Sequence, residues 1–220
     1  GQIHDSNRPT LLALARNRGF EAIDLGWLPD DPAILTKALA SSIDQVDVLL
    51  TTGGAAGGDA DLLWHVLSQP MHHQGMALPT EAHAWKLKLR PGRPLVIGRI
   101  GQTPVFGLPG NPVAALLSFL FIIDAALQKM SGITDPRPLP RIRARAGTAI
   151  RKRPGRQELL RVTLCYHESD DLPVALPAGS QSSAQLRSVA EADGIAVLPE
   201  DLGPVAEGDR LDVVPLHGLL

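Results

Sequence analysis

Four stretches of this 220-residue chain concentrate residue types that can hold an anion. The first is Thr51-Thr52-Gly53-Gly54-Ala55-Ala56-Gly57-Gly58-Asp59-Ala60-Asp61, set between an apolar run and a helix-forming segment. Glycines let backbone N–H groups approach an anion closely, and the next helix aims its positive end at the same place. Asp59 and Asp61 either cap that helix or hold a divalent cation beside a phosphate. No Lys-Ser or Lys-Thr follows the glycines, so this is not a Walker loop. The second stretch, Gly107-Leu108-Pro109-Gly110-Asn111-Pro112, is a stiff turn into a helix, with Asn111 as either a cap or a ligand group. In the third, Lys86, Lys88 and Arg90 alternate with leucines in WKLKLRPGRP and so share one face of an extended segment. That face is either an oxyanion contact or a solvated strand edge. In the fourth, Asp5, Ser6 and Asn7 are all N-cap formers, and capping alone would explain them.

These loops need elements to position them. Asn7 can cap a helix over about Arg8–Arg18, stopped by Gly19. Phe20–Leu25 reads as a short strand. Asp31-Pro32 starts a helix over Ala33–Ile43. Val46–Thr52 reads as a buried strand and Asp59–Ser68 as a helix. Pro94–Ile100 and Thr103–Phe106 are strands around a turn at Gly101-Gln102. Asn111-Pro112 opens the longest helix, through Met130. Alternation of this kind implies an α/β domain with a mostly parallel sheet, whose ligands bind beyond the carboxyl ends of its strands. Gln69–Glu81, with His72, His73 and nearby His83, reads as a loop of solvent-exposed histidines, a metal site being the lesser alternative.

A proline-rich linker at residues 132–140 separates residues 1–134 from residues 135–220. Beyond it, Arg141–Ile150, Gln157–Tyr166, Val174–Pro177, Gly194–Leu198 and Arg210–Pro215 read as strands of a small all-β, barrel-like module. Nine basic residues lie between Arg137 and Arg161 against one acid, Glu158. The alternation in RIRARA favours a wet strand face over a nucleic-acid surface. Aromatics make up 4% of the chain, which also argues against a base-stacking nucleic-acid binder. The chain is 44% hydrophobic with a formal net charge of −2, so it can bury a core. One cysteine excludes a disulfide scaffold and a Cys-cluster metal site. No apolar run reaches ~18 residues and the start is polar, so neither a membrane span nor a secretory signal is expected. The expected compartment is the cytoplasm.

In order, GQIHDSN, TTGGAAGGDAD, WKLKLRPGRP and GLPGNPVAA resemble the molybdopterin molybdenumtransferase family, the MoeA type that includes the E-domain of gephyrin. Residues 179–183 and 192–199 resemble the family's C-terminal domain. The resemblance implies that adenylylated molybdopterin and molybdate bind with Mg2+, that AMP leaves, and that molybdenum is transferred. Gly53 and Gly54 would cradle the terminal phosphate, with Thr52 and Gly58 in the same loop. Asp61 would serve the metal and, with Lys86 and Arg90, the chemistry. Pro109, Gly110, Asn111 and Pro112 match the second loop, and Asp5, Ser6 and Asn7 the polar motif at the pterin cleft. Arg90 stands where lysine is common, and Ala56 and Ala114 stand where the family usually has serine. The resemblance covers only the second half of a family member. The family's first strand of this domain and two N-terminal domains, which support a homodimer, are expected upstream of Gly1. The alternative reading is a non-catalytic molybdopterin-binding or scaffold module.

Overall fold

The computed structural model describes residues 4–53, 62–168 and 171–220. Its first helix, α1 (Asn7–Asn17), begins one residue before the expected start. Asp5, not Asn7, takes the free amides: its Oδ1 accepts from Asn7 N at 3.1 Å and Arg8 N at 3.2 Å. Gly19, at φ +85°, stops the helix as expected. Phe20–Leu25 forms no strand. No strand among the described residues lies beside it, and Ile23 and Leu25 are exposed. Arginines from α1 hold this segment instead, Arg8 on Asp24 and Arg16 on the Ala22 carbonyl.

Helix α2 (Pro32–Ser42) starts where Asp31-Pro32 directs, with Asp31 Oδ1 accepting from Ala33 N and Ile34 N. Strand β1 (Leu49–Thr52) and helix α3 (Leu62–Leu67) follow. The expected histidine loop is a hairpin, β2 (Met71–His73) and β3 (Met76–Leu78). Gln74 and Gly75, at φ +50° and +79°, supply its two-residue turn. Strands β4 (Thr80–Lys86), β5 (Leu89–Arg90), β6 (Pro94–Ile100) and β7 (Thr103–Leu108) come next. The four-stranded sheet has the order β1-β7-β6-β4. It is mixed rather than mostly parallel: β1–β7 is parallel, while β7–β6 and β6–β4 are antiparallel. The tight Gly101-Gln102 turn makes β6 and β7 a hairpin, whose strands must run in opposite directions. Leu39, Leu49, Leu63, Leu67, Val96 and Val105 form the core of this layer.

Residues 112–130 are helical throughout: α4 (Pro112–Ser118), a wide turn over Phe119–Ile123, and α5 (Asp124–Met130). This 19-residue stretch is long and apolar enough to cross a membrane, although no uninterrupted apolar run predicts it. Burial inside the protein accounts for its apolarity, 67% of the window being covered. Gln128 anchors the linker to α5, its Oε1 accepting from Arg137 N at 2.9 Å.

Five strands close a barrel: β8 (Ile142–Ala146), β9 (Gln157–Cys165), β10 (Val174–Pro177), β11 (Gly194–Leu198) and β12 (Arg210–Pro215), in the order β10-β8-β12-β11-β9 and back to β10. Helix α6 (Arg187–Ala190) lies between β10 and β11. Arg141, Arg143 and Arg145 do point outward, pairing with Asp212 and Asp171. Arg161 does not: it is 1% exposed, and its guanidinium donates to Ser188 Oγ and to the Ser180 and Ser182 carbonyls. Burial pushes its pKa down from the usual arginine value. The chain forms two compact units, residues 1–87 with 92–119, and residues 88–91 with 120–220.

Candidate functional site

The parallel pair β1–β7 ends at Thr52 opposite Leu108, and Gly53 N continues it by donating to Leu108 O at 3.3 Å. Three of the four sequence stretches meet just beyond. Asn7 Nδ2 donates to Thr52 Oγ1 at 2.7 Å and to Gly110 O at 2.8 Å. Thr52 Oγ1 in turn donates to Pro109 O at 3.0 Å. The carbonyl of Gly110 can only accept, so the amide nitrogen of Asn7 must face it. A Cβ on Gly110 would lie 3.5 Å from Gly53 Cα, so the two loops touch. Gly53 sits at φ +84°, in left-handed backbone that favours glycine.

This junction leaves polar capacity unused. Among the described residues, Asn7 Oδ1 and Thr51 Oγ1 are buried without a partner. Asn111 precedes Pro112 as the N-cap residue, yet its side chain makes no cap bond. Nor does that of Ser6 before α1. The capping alternative therefore accounts for Asp5, and not for the side chains of Ser6, Asn7 or Asn111. The N-terminus of α4, which no side chain caps, begins beside this junction at Asn111, and a helix start of that kind suits an oxyanion. The surroundings are braced electrostatically. Arg8 Nε lies 3.2 Å from Asp5 Oδ2, and Arg8 Nη1 lies 2.8 Å from Asp24 Oδ2. The Gly26 amide and then the Arg8 guanidinium hold the Asp24 carboxyl below the usual carboxylate range.

Lys86 stands at the same end of the sheet. It pairs with Pro94, Val96 pairs with Gly107, and Leu108 pairs with Thr52. Three strand spacings, about 14 Å, separate it from β1. Lys86, Lys88 and Arg90 do not share one strand face, because β4 ends at Lys86, the chain bends at Lys88, and Leu89–Arg90 form β5, which pairs with β9 rather than β6. Within the second unit, Lys88 Nζ pairs with Glu200 at 2.6 Å and Arg90 approaches Glu158 at 3.8 Å. The histidines take separate carboxylates, His73 on Asp44 and His83 on Glu81.

Residues 1–129 match the model of a family described as "Probable molybdopterin binding domain". Residues 143–216 match the MoeA C-terminal region, domain IV. The chain belongs to the MoeA-type molybdopterin-binding family. Among its relatives is a molybdopterin molybdenumtransferase from Haemophilus influenzae, 30% identical over 100% of this chain and 52% of the relative. Gephyrin from Dictyostelium discoideum is 26% identical over 97% of this chain and 33% of its own length. The crystal structure of the molybdopterin biosynthesis MoeA protein from Pyrococcus horikosii superposes with a TM-score of 0.74 at 27% identity, covering 97% of this chain and 48% of that one. The chain spans about half the length of the molybdenumtransferases it matches.

Of the residues that the family resemblance assigns, Gly54, Gly58 and Asp61 lie outside the described residues. Ala114, at the position where the family usually has serine, is buried in α4 at 4% exposure. Sequence reasoning did not single out Arg8 and Asp24, which hold the first turn of α1 in place. Their only signal is an arginine one residue past Asn7, and its partner lies 16 residues on.

Proposed function

We propose that this chain is the substrate-binding half of an enzyme of molybdenum cofactor biosynthesis. It binds adenylylated molybdopterin and molybdate, and transfers molybdenum to the pterin with release of AMP. The observation that carries this reading is the Asn7 clamp, which joins the glycine loop to the GLPGNP loop at the ends of the parallel strands. Neutral, fixed donors around Gly53 and Asn111 suit the phosphate end of the substrate, because they need no reorganisation when charge develops. Lys86 supplies the positive charge for molybdate or for the leaving phosphate. Arg90 is assigned the same kind of role by the family resemblance. In this reading Asp61 would hold Mg2+, which would supply charge neutralisation at the pyrophosphate. Among the described residues no group of three metal-ligating side chains stands together.

The test is calorimetric titration of the chain with adenylylated molybdopterin, then addition of molybdate and measurement of AMP. Asn7→Ala is expected to weaken binding at least tenfold, about 1.4 kcal/mol. Equal affinity in wild type and Asn7→Ala, with the fold intact, would overturn the assignment of this site. Binding without AMP release would favour the non-catalytic module.

A further inference from the structure

A groove of about 810 Å3 lies in the first unit, between α2, α3 and the histidine hairpin. To its lining α2 gives Ala33, Lys37 and Ala40, α3 gives His65 and Val66, and β2 gives His72. None of these residues belongs to the Asn7 clamp. Ala40 and Val66 are buried and form an apolar floor, while Lys37, His65 and His72 are exposed and stand at the rim. From Ala33 through Lys37 to Ala40 the groove follows about two turns of α2, a stripe about 10 Å long.

The hairpin turns an open strand edge toward this groove. Among the described strands β2 pairs only with β3. The two-residue Gln74-Gly75 turn makes His73 and Met76 a hydrogen-bonded pair, and such pairs alternate with wide ones along an antiparallel ladder. His72, opposite Ala77, is therefore in a wide pair, and its N–H and C=O point away from β3. Neither has a backbone partner among the described residues. No residue of β3 lines the groove, so the groove lies on the free side of β2. The edge is held in place: Met71 is in the core, and His73 Nε2 lies 2.9 Å from Asp44 Oδ2.

The charges around it are one-sided. The side chains of Lys37, His65 and His72 have no ion pair or hydrogen bond among the described residues. No carboxylate lines the groove. The two acids next to it in sequence are engaged, Asp31 on the first amides of α2 and Asp44 on His73.

We propose that this groove docks an extended acidic segment of a partner protein, which adds a short strand to the free edge of β2. About three of its residues span the stripe, at about 3.3 Å each. Its backbone pairs with the N–H and C=O of His72. Its side chains alternate, small apolar ones against Ala40 and Val66 and acidic ones toward Lys37, His65 and His72. Main-chain bonds supply affinity in this mode and the alternate side chains choose the partner. A second copy of this hairpin would set histidine against histidine and bring no carboxylate to Lys37. A small free anion could meet Lys37 but would leave the strand edge unpaired.

The test titrates acetyl-Glu-Val-Glu-Val-Glu-amide into the 15N-labelled chain. Saturable shifts are expected at the backbone amides of Lys37 and His72, and the His72 amide should exchange with solvent at least fivefold more slowly at saturation. The Asn7 side-chain amide should stay unmoved. Acetyl-Lys-Val-Lys-Val-Lys-amide, and the acidic peptide with every amide N-methylated, should each bind at least tenfold more weakly. Free glutamate should leave the His72 exchange rate unchanged. Lys37→Glu, a change at an exposed position, should raise the dissociation constant of the acidic peptide at least tenfold with the circular dichroism spectrum kept. No saturable response at His72, equal binding of the N-methylated peptide, or an unchanged dissociation constant in Lys37→Glu would overturn the proposal. Peptide-free shifts at His72 that grow with protein concentration would give the edge to a second copy and overturn it as well.

Discussion

Replacing Asn7 by aspartate tests the clamp almost atom for atom. The side chain keeps its size, but an oxygen now stands where Nδ2 donates to Gly110 O and Thr52 Oγ1. Asn7→Ala removes two ordinary hydrogen bonds, at about 1 kcal/mol each, or about 2 kcal/mol in all. Asn7→Asp at neutral pH does worse, because a carboxylate oxygen faces the Gly110 carbonyl. Thr52 can donate to it only by abandoning Pro109 O. We expect a cost of about 3 kcal/mol or more, on the scale of a part-buried charge without its partner. For a unit of this size that lowers the melting temperature by about 12 °C. The pH dependence follows in sign. The protonated carboxyl can donate to Gly110 O and the ionised one cannot, so the folded-state pKa of the introduced carboxyl lies above the unfolded value of about 3.9. Stability gained from the protonated form is then fully present below about pH 4 and lost as pH rises through the folded pKa. Urea titrations of wild type, Asn7→Ala and Asn7→Asp between acid and neutral pH read this directly. The gap between Asn7→Asp and wild type should narrow on acidification, and that of Asn7→Ala should not. A variant as stable as wild type at neutral pH, or a gap independent of pH, would refute the clamp.

Three further outcomes follow from the same structure. Arg161→Met leaves the Ser180 and Ser182 carbonyls without their donor, so the barrel should lose about 2–4 kcal/mol in urea unfolding, with Cys165 reactivity toward a thiol reagent as a second readout. Among the described residues a Cβ on Gly53 meets nothing within 4 Å, so its left-handed backbone is what opposes Gly53→Ala, and a stability loss of about 1 kcal/mol is expected by thermal melting. Asp24 titrates below its usual value, so the stability it contributes is present above about pH 4 and lost as pH falls through its folded pKa. Asp24→Asn should flatten that part of the acid limb in a urea midpoint series.

Elements governed by neighbours in sequence were legible in advance. Asp31-Pro32 carries its own cap and its own fixed φ, and α2 starts there. The barrel strands alternate over short runs between turns, and β10, β11 and β12 occupy the expected residues. Phe20–Leu25 has an equally good strand pattern and forms none, because a strand also needs a neighbouring strand. The histidine segment became a hairpin through a Gln-Gly turn, which weighs less in a sequence than three histidines do.

The site divides along the same line. That Asp5, Ser6 and Asn7 are polar N-terminal residues is visible in the sequence, but which of them caps and which clamps is not. Asp5 bonds two and three residues away. Asn7 bonds 45 and 103 residues away, across loops that the sequence shows only as separate motifs. The division of labour is physical: once the Asp5 carboxylate has taken the helix amides, the side chain of Asn7, two residues on, is released to reach across the fold. An asparagine is suited to that second task because it donates to Gly110 O and Thr52 Oγ1 without carrying a charge into the part-buried junction. The same argument explains why Asn7→Asp, a change of one atom type, should damage this site more than removing the side chain altogether.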